Sequence, residues 1–276
     1  MSNVVHTQRR GKVLEITLDN PPANAIGREA TAGLSKAFAT LRDDPDLLVG
    51  IITGAGEKFF SPGWDLKEGA AESNAIDSGE ADSDSADYKN DGGFAGITEM
   101  WDLYKPVIAA INGYAVGGGW EIALACDIQY AVPHAKFFIP DVHMGFIADA
   151  GAIQILPRRL PHSIAMDILL TGRRMEAEEA LKWGLITEIV EPEKLMERAR
   201  ETADHLAEGG PLALQASKEA VRHTMHMSIP DCFKALRGDD NRGGALPIYT
   251  RMLNSEDAKE GPRSFAEKRK PVFKGR

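Results

Sequence analysis

The chain has 276 residues, 43% of them hydrophobic and 26% charged, with a net charge of −9. That length supports one large core, or a core with an appended lobe, and the negative balance argues against nucleic acid or anionic membrane as a general partner. Two cysteines, Cys126 and Cys232, stand far apart in no ligand spacing, which argues against a disulfide framework or a structural zinc site and for a reducing, cytoplasmic setting.

In chain order, KVLEITL puts Leu14, Ile16 and Leu18 on one face at period two and predicts a strand. NPPANAIG is turn-rich, and Leu34, Ala37, Phe38 and Leu41 then recur at helical spacing. LLVGIIT predicts a buried strand, followed by GAGEKFF and SPGWDLKEG. Residues 68–92 are small, polar and acidic, a composition that predicts a mobile loop. A short helix is expected near Ile97 to Leu103, then the strand PVIAAIN, the turn GYAVGGGWE and a helix from about Gly118. DIQYAV and AKFFI predict two more strands, and ITEIV a last one within a mostly helical remainder. Strands and helices alternate in the first two thirds and helices dominate the rest, which gives an α/β class with a C-terminal helical lobe. The apolar window from Val107 to Cys126 carries Asn112, Glu121 and four glycines, and is read as strand-turn-helix rather than a membrane span.

Three segments carry possible chemistry. A helix that begins inside Gly117–Gly119 offers N–H groups at the positive end of its dipole, a site for negative charge. The run continues into Trp120 and Glu121 rather than Lys-Ser/Thr, so a nucleotide phosphate loop is unsupported. A single oxyanion fits better, although close helix–strand packing alone would also explain the glycines. Glu121 stands in the first turn of an apolar helix, where a buried carboxylate would have the raised pKa that suits proton transfer. FFSPGWDLK is a second anion-site candidate, with Lys67 nearby and Ser61 read as a turn hydroxyl. The third segment, FFIPDVHMGFIADAG, holds Asp141 after a strand and Asp149 before a helical pattern, where it reads first as an N-cap. His143 reads as a packed or exposed residue, and His223 with His226 has no third metal ligand, so no metal site is expected.

Taken together, NPPANAI, IITGAGEKFFSPGWDLKEG, KPVIAAINGYAVGGGWEIALACD, FFIPDVHMGFIADAG, TGRRMEAEEALKWGLI and SFAEKRKPVF resemble the crotonase (enoyl-CoA hydratase/isomerase) superfamily in order along nearly the whole chain. The resemblance implies a crotonase-type ββα superhelix over residues 1–200 and a C-terminal helical trimerisation region over 201–276. It implies an acyl-CoA thioester as substrate, no separate cofactor, and a homotrimer or dimer of trimers. By motif position it puts the oxyanion hole on the N–H groups of Trp64 and Gly118, and the catalytic carboxylates on Glu121 and Asp141. Asp149 is the position that some isomerases of the family use. Coenzyme A would lie against Ala23, Ala25, Asp65, Leu66 and Lys67, with Phe265 and Lys268 added by a neighbouring subunit. Asp141 departs from the family's usual glutamate and is one methylene shorter. GEKFFS, GGFAGITE and the tail SEDAKEGPRSFAEKRKPVFKGR are most similar to the branch that hydrates crotonobetainyl-CoA, a trimethylammonium thioester. For such a cation Trp64, Trp120, Tyr88, Phe94 and Phe146 are aromatic candidates, each of which plain packing would also explain. The resemblance leaves three readings: a hydro-lyase, an isomerase using Glu121, Asp141 or Asp149, and a CoA-ester-binding protein without chemistry.

Overall fold

The strands divide between two sheets. A computed structural model describes residues 4–78, 92–238, 244 and 246–276. Its strands are β1 (Val5–Arg10), β2 (Val13–Leu18), β3 (Val49–Gly54), β4 (Phe59–Ser61), β5 (Val107–Ile111), β6 (Tyr114–Val116), β7 (Ile128–Ala131), β8 (Lys136–Phe138), β9 (Met175–Glu176) and β10 (Glu188–Ile189). The larger sheet runs β1-β2-β3-β5-β7-β10 and the smaller β4-β6-β8-β9. Only the β1–β2 and β8–β9 pairs are antiparallel. Successive strands therefore alternate between sheets: β3 then β4, β5 then β6, β7 then β8. A helix follows each pair: α2 (Leu66–Asp77), α3 (Gly118–Ala125) and α4 (Ala152–Arg159). This is the ββα spiral of the crotonase fold. Every residue of β3 and β5 is buried, as a parallel sheet covered on both faces requires.

The first helix, α1 (Arg28–Asp43), buries Leu34, Ala37, Phe38 and Leu41 on the face that the sequence predicts. After α4 come α5 (His162–Thr171), α6 (Ala177–Lys182), α7 (Leu195–Ala207), α8 (Pro211–Thr224), α9 (Ile229–Arg237), α10 (Pro247–Leu253) and α11 (Glu256–Ala266). Helix α7 runs across residue 200 with Ala199 and Ala203 buried in the spiral's core.

Two local expectations differ from the structure. The acidic segment begins as helix α2, with Asp65 Oδ1 accepting from the N–H groups of Lys67 at 3.0 Å and Glu68 at 3.3 Å. Residues 79–91, the rest of the expected mobile loop, lie outside the described residues. No helix forms over Ile97–Leu103; a short 3₁₀ turn at Phe94–Gly96 precedes irregular turns instead. Glycines 92, 93 and 96 and a left-handed Ala95 (φ 54°) break the helical path there. Strand β1 has little sequence signal, since Val5 is its only apolar residue, and it forms by pairing along its full length with β2.

Candidate active site

Three neighbouring strands of the smaller sheet deliver the site. Strands β4, β6 and β8 run parallel, with Ser61 opposite Ala115 and Val116 opposite Phe138. Their C-terminal ends therefore lie side by side, the usual place for a ligand crevice in a parallel sheet. The chain leaving β4 is Pro62-Gly63-Trp64, that leaving β6 is Gly117-Gly118-Gly119, and that leaving β8 is Ile139-Pro140-Asp141. Trp64, Gly118, Glu121 and Asp141, scattered over 78 positions of sequence, are grouped by this register.

The glycines let the first two loops interlock. A Cβ on Gly63 would come within 2.6 Å of Gly118 N, and one on Gly119 within 2.1 Å of the Ser61 carbonyl oxygen. Gly63 also has φ +86°, where a side chain would be strained. Gly118 is the first residue of α3, so its N–H has no acceptor within its own helix. The loop around Trp64 is fixed from behind. Ile26 bridges to Trp64, and Asp65 N donates to the Ile26 carbonyl at 3.0 Å. Ser61 Oγ donates to the Asn24 carbonyl at 2.7 Å and accepts from Gly63 N at 3.1 Å. The buried Asn24 amide donates to the carbonyls of Ala55 and Phe59 at 2.9 and 3.0 Å. Asn24 was not singled out by sequence. Its one signal is its place in a turn-rich run, at φ +63°, a conformation that asparagine tolerates.

Glu121 is 3% exposed and accepts a 2.9 Å hydrogen bond at Oε1 from Ala152 N, the first residue of α4. Burial pushes its carboxyl up to about 7. The Ala152 and Ala150 N–H groups oppose that shift, and the charges of Asp141 and Asp149 add to it. Asp141 opens a short 3₁₀ turn, Asp141–Met144. Burial raises its carboxyl as well, its own backbone N–H opposes this, and Asp149 adds to it. Asp141 Oδ2 is buried without a hydrogen-bond partner among the described residues, and lies 3.4 Å from where a Cβ on Gly117 would stand. Asp149 is exposed and acts on both carboxyls. It does not cap α4, whose N-cap is Gly151 without a side-chain bond. The charged groups that move Glu121 and Asp141 are all acidic.

The sequence profile of the enoyl-CoA hydratase/isomerase family matches residues 8–276. The chain belongs to the enoyl-CoA hydratase/isomerase family. It is 49% identical to a carnitinyl-CoA dehydratase of Salmonella typhi and 50% identical to one of Proteus mirabilis, over all of both chains in each case. Its fold is similar to that of a crystal structure of enoyl-CoA hydratase from Mycobacterium tuberculosis H37Rv, with a TM-score of 0.85 and 34% identity over 99% of each chain.

The remaining family positions fall in two places. Ala23, Ala25 and Asp65 stand on the two loops joined by the Ile26–Trp64 bridge, and Leu66 and Lys67 open α2 directly after the second. Leu66 and Lys67 are exposed, whereas the Asp65 carboxylate is engaged in capping α2. Phe265, 87% exposed, lies in the last turn of α11, and Lys268 stands just beyond the helix at φ +53°. Helix α11 packs against α10, and no described hydrogen bond joins Phe265 or Lys268 to the loops of Ala23–Lys67. Among the aromatic candidates, Trp120 is fully buried against Phe137 and Tyr88 lies outside the described residues. Phe94 stands over Gly118, while Phe146 meets Trp64 edge-on.

Proposed function

We propose that the chain is a hydro-lyase that reversibly adds water across the C2=C3 bond of an enoyl-CoA thioester, with crotonobetainyl-CoA and L-carnitinyl-CoA as its favoured pair. One observation carries the reading: a buried carboxyl and a half-buried one, Glu121 and Asp141, both with raised pKa, beside the open N–H of a helix start. In hydration, water oxygen bonds to C3 and its proton passes to one carboxylate. The other carboxyl gives a proton to C2. Between these events the thioester oxygen bears enolate charge, held by the N–H groups of Trp64 and Gly118. A backbone donor aimed at such charge is worth about 2.7–4 kcal/mol of barrier, and each positioned proton transfer about 10²–10⁴-fold in rate. A carboxyl near 7 suits both directions, because it exchanges a proton at neutral pH with little driving force lost. The full-length identity to carnitinyl-CoA dehydratases supports the trimethylammonium acyl group.

The coenzyme A moiety would lie along Ala23, Ala25, Asp65, Leu66 and Lys67, with Phe265 and Lys268 supplied by a neighbouring copy in a trimer or dimer of trimers. Exposed apolar side chains on α8 and α9, among them Val221, Ile229 and Phe233, support such an assembly, over a helical region taken as residues 201–276. The enzyme would be cytoplasmic; among the described residues no helix is long and apolar enough to cross a membrane.

A second reading, double-bond isomerisation, is favoured by the electrostatic reach of Asp149 to both carboxyls. Incubation of a panel of CoA thioesters in D₂O, with product analysis by mass spectrometry, separates the readings. The hydro-lyase gives products with deuterium at C2 and a hydroxyl at C3. Deuterium at C2 or C4 without added water would replace it by the isomerase. Tight thioester binding with neither outcome would leave a binding protein.

A further inference from the structure

The indole of Trp64 has a place that the hydration chemistry does not require. Its N–H position in the oxyanion hole needs only main chain. The ring lies across Gly69 of α2, where a Cβ would come within 2.1 Å of Trp64 Cζ2, so α2 gives it bare backbone to lie on. On another side the Phe146 ring meets it at 5.8 Å and 84°, the edge-to-face arrangement that aromatic pairs favour. Phe146 N donates to the Asp141 carbonyl at 3.0 Å, and the same loop continues to Asp149. The indole therefore joins α2 to the loop that holds two of the three carboxylates.

An aromatic ring packed on a loop of carboxylates is the chemistry that receives an organic cation. The charged groups acting on Glu121 and Asp141 are acidic ones. In a four-carbon cationic acyl chain the nitrogen sits on C4, next to the C3 that takes up water. Its binding wall must then lie on the side of the carboxylates, and the Trp64–Phe146 pair packs on the loop that carries Asp141 and Asp149. Trp120, fully buried against Phe137, is excluded from that role. We infer that Trp64, steadied by Phe146, is the specificity-determining residue that selects a quaternary ammonium on the acyl chain over a neutral group of the same shape. The inference deepens the hydro-lyase reading and rests on it for the position of the acyl chain.

The test compares crotonobetainyl-CoA with its neutral isostere, 5,5-dimethylhex-2-enoyl-CoA, in which a tert-butyl group replaces trimethylammonium. Both kcat/KM and Kd are measured for the wild type, Trp64→Leu, Trp64→Phe and Phe146→Leu. The wild type is expected to prefer the charged thioester by about tenfold or more, a factor within the reach of one cation–π contact. Trp64→Leu reduces that preference about tenfold, Trp64→Phe restores part of it, and Phe146→Leu reduces it about threefold. Equal treatment of the two thioesters by the wild type overturns the inference even where crotonyl-CoA is hydrated. An unchanged preference in the variants overturns it too. Should both thioesters bind without turnover, a Kd preference lost in Trp64→Leu upholds the role of Trp64 while the hydro-lyase reading falls. Phe146 is half exposed, so its variant decides the matter if Trp64→Leu does not fold.

Discussion

Glu121 combines a function with a cost in stability. Its carboxyl stands near 7 in the folded chain against an ordinary 4.5, because burial disfavours its charge. The folded state thus holds the proton more tightly than the unfolded one, and stability from this group is lost as pH rises from about 4.5 to 7. At about 1.4 kcal/mol per pK unit, the loss reaches ~3 kcal/mol. Glu121→Gln should therefore unfold at a higher temperature than the wild type at pH 8, with the gap closing towards pH 5. A less stable variant at pH 8 would contradict the buried, raised carboxyl. Asp141 poses the opposite question, since it is one methylene shorter than the family's usual glutamate. Its Oδ2 lies 3.4 Å from where a Cβ on Gly117 would stand, which leaves little room on that side for a longer side chain. Asp141→Glu should overshoot and lower kcat about tenfold or more, given that misplacement of about 1 Å can cost 10²-fold. A gain in kcat would show instead that aspartate falls short. Glu121 and Asp141 were legible as acidic residues in unusual surroundings. The half-burial of Asp141 and the coupling of both carboxyls to Asp149 were not, because those depend on strand register rather than spacing.

The glycine run is the element that sequence reading handled best and the structure sharpened most. GGGWE announced a helix start, and α3 begins at Gly118. What the run does for its partner loop was hidden, because the clash that Gly119 avoids is with Ser61, 58 positions away. Gly119→Ala would press a Cβ to 2.1 Å from the Ser61 carbonyl oxygen, and backbone on both sides leaves little to give. It should cost about 1–3 kcal/mol of stability, read by denaturant unfolding, together with a fall in kcat as the oxyanion loops part; a variant of full stability and activity would refute the interlock. Helix α2 was missed for the converse reason. Its composition lacks the aliphatic residues that declare an amphipathic helix, but Asp65 caps it and its alanines favour helix intrinsically. The helix expected at Ile97–Leu103 fails because the glycines and left-handed Ala95 before it set the chain on another path. Asn24 escaped notice, and Ser61 was read only as a turn hydroxyl, because their importance lies in bonds to carbonyls remote in sequence.

At the scale of the molecule, the alternation of strands and helices and the helical last third were legible in the residues, and the paired-strand spiral only through the family resemblance. The partition of strands into a six-stranded and a four-stranded sheet was not, since short strands such as β4, β6 and β9 carry too few residues for a period to show. The exposed apolar side chains of α8 and α9, Ile229 at 74% among them, belong to the proposed assembly. Ile229→Asp should shift the protein from trimer to monomer by light scattering and raise KM for the thioester, because Phe265 and Lys268 would no longer reach a neighbour's site; an unchanged mass would remove α9 from the interface. The central claim, that Glu121 and Asp141 together handle the protons of thioester hydration, is tested most directly by kcat and thioester Kd for crotonobetainyl-CoA in the wild type, Glu121→Gln and Asp141→Asn. The account predicts that each substitution lowers kcat by about 10²–10⁴-fold while Kd moves less than about threefold; near-normal turnover in both variants would contradict it.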